Sequence, residues 1–414
     1  MVCTPCMIHS SFMILPFSID LFFMNDILQA ATERMSSIVD DRRHIHRNPE
    51  LSFQEYETCS YIAKRLDSMN IPYSIIAQTG IVAHIGSGDR CIALRADIDA
   101  LPIEEETGLD FASTTPGIMH ACGHDAHTAM LLGAASILKE RESTLNGIVK
   151  LIFQPGEEKV PGGASIMVAE GALENPRPEA IFGQHVYPDA PCGEIQISIG
   201  PTMASADELY WTIHGKGAHA AQPHQGIDPI IIASELILHL QSLVTKMRNP
   251  LLPGLLAVTS IHGGSATNII PETVELKGTL RAFDPAWREQ AIQAIQVHSE
   301  QLCAMHGATC EVKILRGYPA VHNHEGAATF AIKTAQALIG STQVTDFEPK
   351  MWGEDFAFYG QHIPAAFWML GVRPHDEQSM PGLHNARFTP DEQAFPVGVA
   401  MMAKAAMDWL SESR

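Results

Sequence analysis

A chain of 414 residues, 46% hydrophobic and 18% charged, is long enough for two packed domains. Its formal charge of −20 at pH 7 speaks against nucleic acid or an anionic membrane as a partner. Eight cysteines, at positions 3, 6, 59, 91, 122, 192, 303 and 310, show no regular spacing. Such scatter predicts reduced thiols in the cytoplasm, not a disulfide framework.

The first stretch, "MIHSSFMILPFSIDLFFM", is apolar but lacks a basic n-region, and Pro16 and Asp20 interrupt it as a membrane span. Residues 1–24 are therefore expected to be an N-terminal extension, with the fold beginning at 25. "ILQAATERMSSIVDDRRHIHR" and "ETCSYIAKRLDSMN" carry apolar residues at helical spacing. "CIALRADIDA" is a short apolar run that turns acidic at its end. "HTAMLLGAASILKE" predicts a helix opening at His124–His127. "GIVKLIFQPGEE" predicts a strand over Ile148–Phe153, then a turn and two glutamates. "EAIFGQHVYP" repeats that design with His185 at the strand exit.

Strands alternating with helices indicate an α/β domain with a mostly parallel sheet flanked by helices. Ligands of such sheets sit beyond the carboxyl ends of the strands, where Asp97, Glu157, Glu158 and His185 all fall. Near residue 205 the pattern becomes strand–helix–strand–strand–helix–strand, as expected for a smaller inserted α+β sandwich over 205–320. Asp228 and Asp284 each precede a proline, which predicts an N-cap with proline at the first helical position. The catalytic domain would then comprise 25–204 and 321–414.

The nonapeptide "MHACGHDAH" concentrates metal-capable groups. Cys122 and His124, two apart, suit zinc, cobalt, nickel or manganese; a buried thiol and a capping imidazole are the bland alternative. Adjacent side chains diverge, so Glu157 and Glu158 are expected to divide two tasks, proton transfer and metal binding. His185 and His384 add imidazoles, and Asp97 suits a partner that orients a ligand. His44, His46, His84, His120, Asp125, His127, His214 and His262 are read as structural or exposed. His219, in "GKGAHAAQPHQGIDP", Asn268 and Arg281 signify little as isolated residues, though the last two suit a carbonyl oxygen and a carboxylate.

From "RHIHRNPELSFQEYET" through "LRADIDALPI", "MHACGHDAHT", "FQPGEE", "GQHVYP", "GKGAHAAQPHQGIDP" and "GEDFAFY" to "GLHNARF", the ordered motifs resemble one family. They are similar to the aminoacylase and carboxypeptidase-G type dinuclear metallopeptidases, in the amidohydrolase branch of hippurate hydrolases, N-acyl-amino-acid deacylases and auxin-conjugate hydrolases. The resemblance implies Cys122, His124, Glu158, His185 and His384 as ligands of two divalent ions per subunit. These would be manganese or zinc, with cobalt and nickel also compatible. It implies Glu157 as general base and acid, and Asp97 behind the ligands. His219 would reach the site from the inserted domain of a partner subunit in a homodimer or dimer of dimers, steadying the oxyanion. Asn268 and Arg281 would hold the amino-acid half of an N-acyl amino acid. Other branches carry a ligating histidine where this chain has Arg95, and Cys122 takes up that deficit. The rival expectations are a biosynthetic N-acetyl-diaminopimelate-type deacetylase, a dipeptidase, and a non-catalytic dimeric binding protein.

Overall fold

A computed structural model describes residues 26–412, so the proposed extension over 1–24 lies outside the described residues. The larger sheet has eight strands in the order Tyr73–Ile76, Gly80–Gly86, Ile148–Gln154, Cys91–Asp97, Ile181–Pro191, Ala365–Arg373, Ile195–Gln196 and Val344–Thr345. The third to sixth of these run parallel. Antiparallel neighbours flank them on both sides. Every residue of Cys91–Asp97 is buried, which is why the central strands read as near-continuous apolar runs.

Alternation along a strand feeds two cores. Ile92, Leu94 and Ala96 pack with the His124–Glu140 and Phe395–Ser411 helices, while Ala93, Ile152 and Ile181 join Ala164, Met167 and Tyr359 on the opposite face. Between residues 205 and 320 the chain forms a second, four-stranded antiparallel sheet in the order Gly254–Gly263, Thr273–Ala282, Asp207–His214 and Thr309–Leu315. Helices Pro229–Met247 and Pro285–Met305 cover one face, burying Trp211, Ile213, Leu236 and Ile295 among others. Both expected caps form: Asp228 accepts from the Ile230 N–H at 2.9 Å and Asp284 from the Trp287 N–H at 2.6 Å.

Two local expectations need correction. The helix expected over residues 27–47 is two, Asp26–Glu33 and Met35–Arg47, broken at Arg34 where φ is −94° and ψ is 2°. His185 does not follow its strand; it lies within Ile181–Pro191. Pairing with Ala365–Arg373 continues past it, Met369 opposite His185, whereas pairing with Cys91–Asp97 stops at Arg95 opposite Gly183. His185 thus clears the sheet rim on one side only, toward the end of Cys91–Asp97.

Candidate metal centre and active site

The loop after Cys91–Asp97 delivers the first ligands. Gly123 has φ of +88°, and any side chain there would run into Val186, so only glycine can stand between Cys122 and His124. His124 Nδ1 donates to the Asp99 backbone oxygen at 2.9 Å and its carboxylate at 3.1 Å. In the neutral ring this leaves Nε2 a lone pair, and that atom is buried without a hydrogen-bond partner. His185 Nδ1 donates to the Val186 carbonyl at 2.7 Å, which turns its Nε2 lone pair to within 3.4 Å of Cys122 Sγ. The C-terminal loop is tied in by the His384 N–H, which donates to Ala121 O at 2.8 Å. His384 Nε2 lies 3.1 Å from Glu158 Oε1, yet that buried oxygen makes no hydrogen bond. The two atoms face a common point rather than each other.

Cys122, His124 and His185 present donor atoms within 4.8 Å of one another, as do Cys122, Glu158 and His384. The thiol belongs to both groups. Sulfur, imidazole and carboxylate together suit zinc, cobalt or manganese, and five donors exceed the four that one zinc usually takes. The electrostatics suit cations as well. Burial, then Glu158 and Glu157, push the Cys122 thiol well up. Burial, then Glu354, Glu158 and Asp355, push Glu157 well above the usual carboxylate range. Divalent ions reverse that penalty and hold a coordinating thiol deprotonated. The donor set and its orphaned lone pairs fit two such ions.

Glu157 and Glu158 are held apart from behind. The Glu158 N–H donates to Asp99 Oδ2 at 3.0 Å, while the Tyr318 hydroxyl donates to the Glu157 backbone oxygen. The Asp355 N–H reaches Glu157 Oε1 at 3.4 Å.

Asp97 receives hydrogen bonds from Arg95 Nη1 and His127 Nδ1, both at 2.6 Å, and its Oδ2 is 3.7 Å from His124 Nε2. Burial alone would raise Asp97, but Arg95, His124 and His127 outweigh it and hold the carboxyl well below its usual range. The residue that fixes the tautomer of His124 is instead Asp99, two positions on, which the sequence reading passed over. His127, read as structural, belongs here: Nδ1 donates to Asp97 and Nε2 accepts from the Val186 N–H at 2.9 Å.

Arg95 has no accessible surface and spends its donors on Gln154 (2.8 Å), Asp97 (2.6 Å), Glu354 (3.0 Å) and Asp355 (2.9 Å). A guanidinium so engaged is no metal ligand; it neutralises a nest of carboxylates. Its removal strands three buried acids. Arg95→Met is expected to cost about 3–5 kcal/mol of stability, read as a large fall in Tm against wild type. An unchanged Tm would show that the acids are neutralised otherwise.

A cavity of about 630 Å³ is lined by Cys122, Glu157, Glu158, His185, His384 and Glu354, and from the smaller domain by Arg281. Among the described residues no carboxylate pairs with Arg281, whose guanidinium is half-buried; burial pulls it below its usual range. Asn268, expected to hold the same half of the substrate as Arg281, does not line the cavity of its own subunit. It lies next to His219, because Ala218–His219 pairs with Ile269–Ile270 and the Ala220 N–H donates to Asn268 O at 3.0 Å. Both side chains are exposed and neither lines the cavity of its own subunit.

Residues 93–408 match peptidase family M20/M25/M40. The chain is 45% identical over 361 residues to N-acetyl-L-cysteine deacetylase of Bacillus subtilis (strain 168), covering 86% of this chain and 84% of that protein. It is 38% identical over 381 residues to IAA-amino acid hydrolase ILR1-like 4 of Arabidopsis thaliana, covering 91% and 86%. A solved structure of the Bacillus subtilis YXEP protein, described as a dinuclear metal binding peptidase of the M20 family, superposes with a TM-score of 0.79 at 36% identity, over 92% of this chain and 99% of that one. The chain belongs to the M20 peptidase family, in its amidohydrolase branch, and is a metal-dependent amidohydrolase.

Proposed function

We propose that the protein hydrolyses N-acyl-L-amino acids to a carboxylic acid and a free amino acid. The observation that carries this reading is the Cys122 thiol shared by two donor groups beside Glu157. The names of the deacetylase and the amino acid hydrolase it resembles support the substrate class. Cys122, His124, Glu158, His185 and His384 hold two divalent ions, manganese or zinc. Such ions supply Lewis acidity for the amide carbonyl and for an attacking water. Glu157 takes the proton of that water and returns it to the leaving amine nitrogen, a task its place beside the donor groups allows. Arg281, unpaired and facing the cavity, binds the substrate carboxylate.

His219 and Asn268 are assigned to the neighbouring site of a homodimer, where His219 of the partner subunit steadies the oxyanion. Supporting this, the smaller domain exposes Ile231, Leu238, Leu251, Ile261 and Ile269, each 50% or more accessible, apolar side chains that a partner subunit would cover. The Pro229–Met247 helix is long and apolar enough to cross a membrane. Its Ile232, Leu236 and Leu240 are buried on the small sheet, and we assign its exposed side to the dimer. The six described cysteines are free thiols, in keeping with a cytoplasmic protein.

The test is amine release from hippurate and N-acetyl-L-methionine with added manganese. Turnover should vanish on chelation and return with metal. Absence of turnover on every N-acyl amino acid tried, in metal-replete protein, overturns the reading.

A further inference from the structure

Three consecutive residues, Trp352, Gly353 and Glu354, line the cavity, and each meets a different neighbour. A carboxylate oxygen of Glu354 lies within 4.8 Å of those of Glu157 and Asp355. At Gly353 an added Cβ would stand 3.4 Å from Arg281 Nη1 and 2.9 Å from Ala206 Cβ, so the missing side chain leaves the guanidinium its place. Trp352 is 41% exposed although it sits in a concave wall. Its ring stands edge-on to Tyr187 with centroids 6.4 Å apart, and Tyr187 is propped in turn by Phe347 at 5.6 Å. Met203 and Met369 extend the same apolar wall. An indole held by a buried aromatic, with one side left bare inside a cavity, is a surface prepared for an apolar group.

We infer that Trp352, backed by Tyr187, forms the pocket for the side chain of the amino-acid half, so that the preferred substrates are N-acyl amino acids with one carboxylate and a large uncharged side chain. This rests on the N-acyl-amino acid reading. A carboxylate and a side chain hang from the same Cα, and the indole lies one residue from the slot that Arg281 fills. The acyl group departs on the far side of the scissile nitrogen, from the Glu157 end. Charge points the same way. Among the described residues Arg281 is the only lysine or arginine lining the cavity, while Asp189 and Glu208 also line it. A second carboxylate, on the substrate's side chain, finds no lysine or arginine to meet it and is repelled by Asp189 and Glu208.

The experiment compares kcat/KM on N-acetyl-L-phenylalanine, N-acetyl-L-methionine, N-acetyl-L-alanine, N-acetyl-L-glutamate and N-benzoylglycine, for manganese-loaded wild type, Trp352→Ala and Trp352→Phe. Wild type should favour phenylalanine and methionine over alanine, and all three over glutamate. In Trp352→Ala the phenylalanine-to-alanine ratio should fall about tenfold or more, and Trp352→Phe should restore most of it. Equal losses on all substrates, or a selective loss on N-benzoylglycine, overturn the inference. No turnover of any substrate by wild type removes the N-acyl-amino acid reading itself. Turnover of the alanine substrate with an unaltered ratio in Trp352→Ala removes only the pocket.

Discussion

Glu157→Gln is expected to lower kcat by about a hundredfold to ten-thousandfold, the span usual for loss of a positioned general base, with metal content at the wild-type level. The substitution is close to isosteric. The Asp355 N–H still finds an acceptor at the Oε1 position, and the Tyr318 hydroxyl grips the backbone oxygen, not the side chain. Replacing Glu157 also takes a buried carboxylate away from the repulsion of Glu354, Glu158 and Asp355, which together with its burial raises it, so Tm should hold or rise. The combination of a dead enzyme, full metal and undiminished stability distinguishes a proton-transfer role from a ligand or a structural one. Elemental analysis, thermal melts and turnover on one substrate read all three. Full turnover would remove Glu157 from the reaction; loss of metal with loss of turnover would make it a ligand.

How much of this site the sequence displayed follows from what kind of contact each residue makes. Cys122 and His124 were legible because the helix that begins at His124 fixes where its first turn points. Glu157 and Glu158 were legible because they follow a strand whose residues are buried almost throughout. The supporting residues were harder. Asp99 and Asp97 sit in one short run, "RADIDA", and nothing local says which of them His124 will face; the tertiary packing decides. Arg95 looked like a missing ligand. Its actual role depends on Glu354 and Asp355, some 260 positions away, a pairing that no periodicity encodes. Glu354 and Asp355 themselves stood in the quoted motif "GEDFAFY" without a role. The resemblance gave Asn268 and Arg281 the same half of the substrate; the loop between Gly254–Gly263 and Thr273–Ala282 carries Asn268 to His219, and the second of those strands carries Arg281 into the cavity.

Cys122→Ala should remove metal from both positions at once, because its sulfur is the donor common to the Cys122–His124–His185 and Cys122–Glu158–His384 groups. Truncating His185 or His384 takes one donor from one group; truncating Cys122 takes one from each. Bound metal is expected to fall from about two ions per subunit to below about one, with turnover reduced a thousandfold or so. The fold should survive. The thiol is small and mostly buried against a helix start whose geometry Gly123 sets, and the strained part of the loop is untouched. Cys122→Asp sharpens the test, since a carboxylate keeps an anionic donor at the same place but replaces a soft one with a hard one. That variant should recover part of the metal and shift preference from zinc toward manganese. Zinc and manganese titrations followed by elemental analysis read both variants. Two full equivalents retained in Cys122→Ala would mean that the remaining imidazoles and carboxylate suffice, and the shared-thiol centre would have to be abandoned.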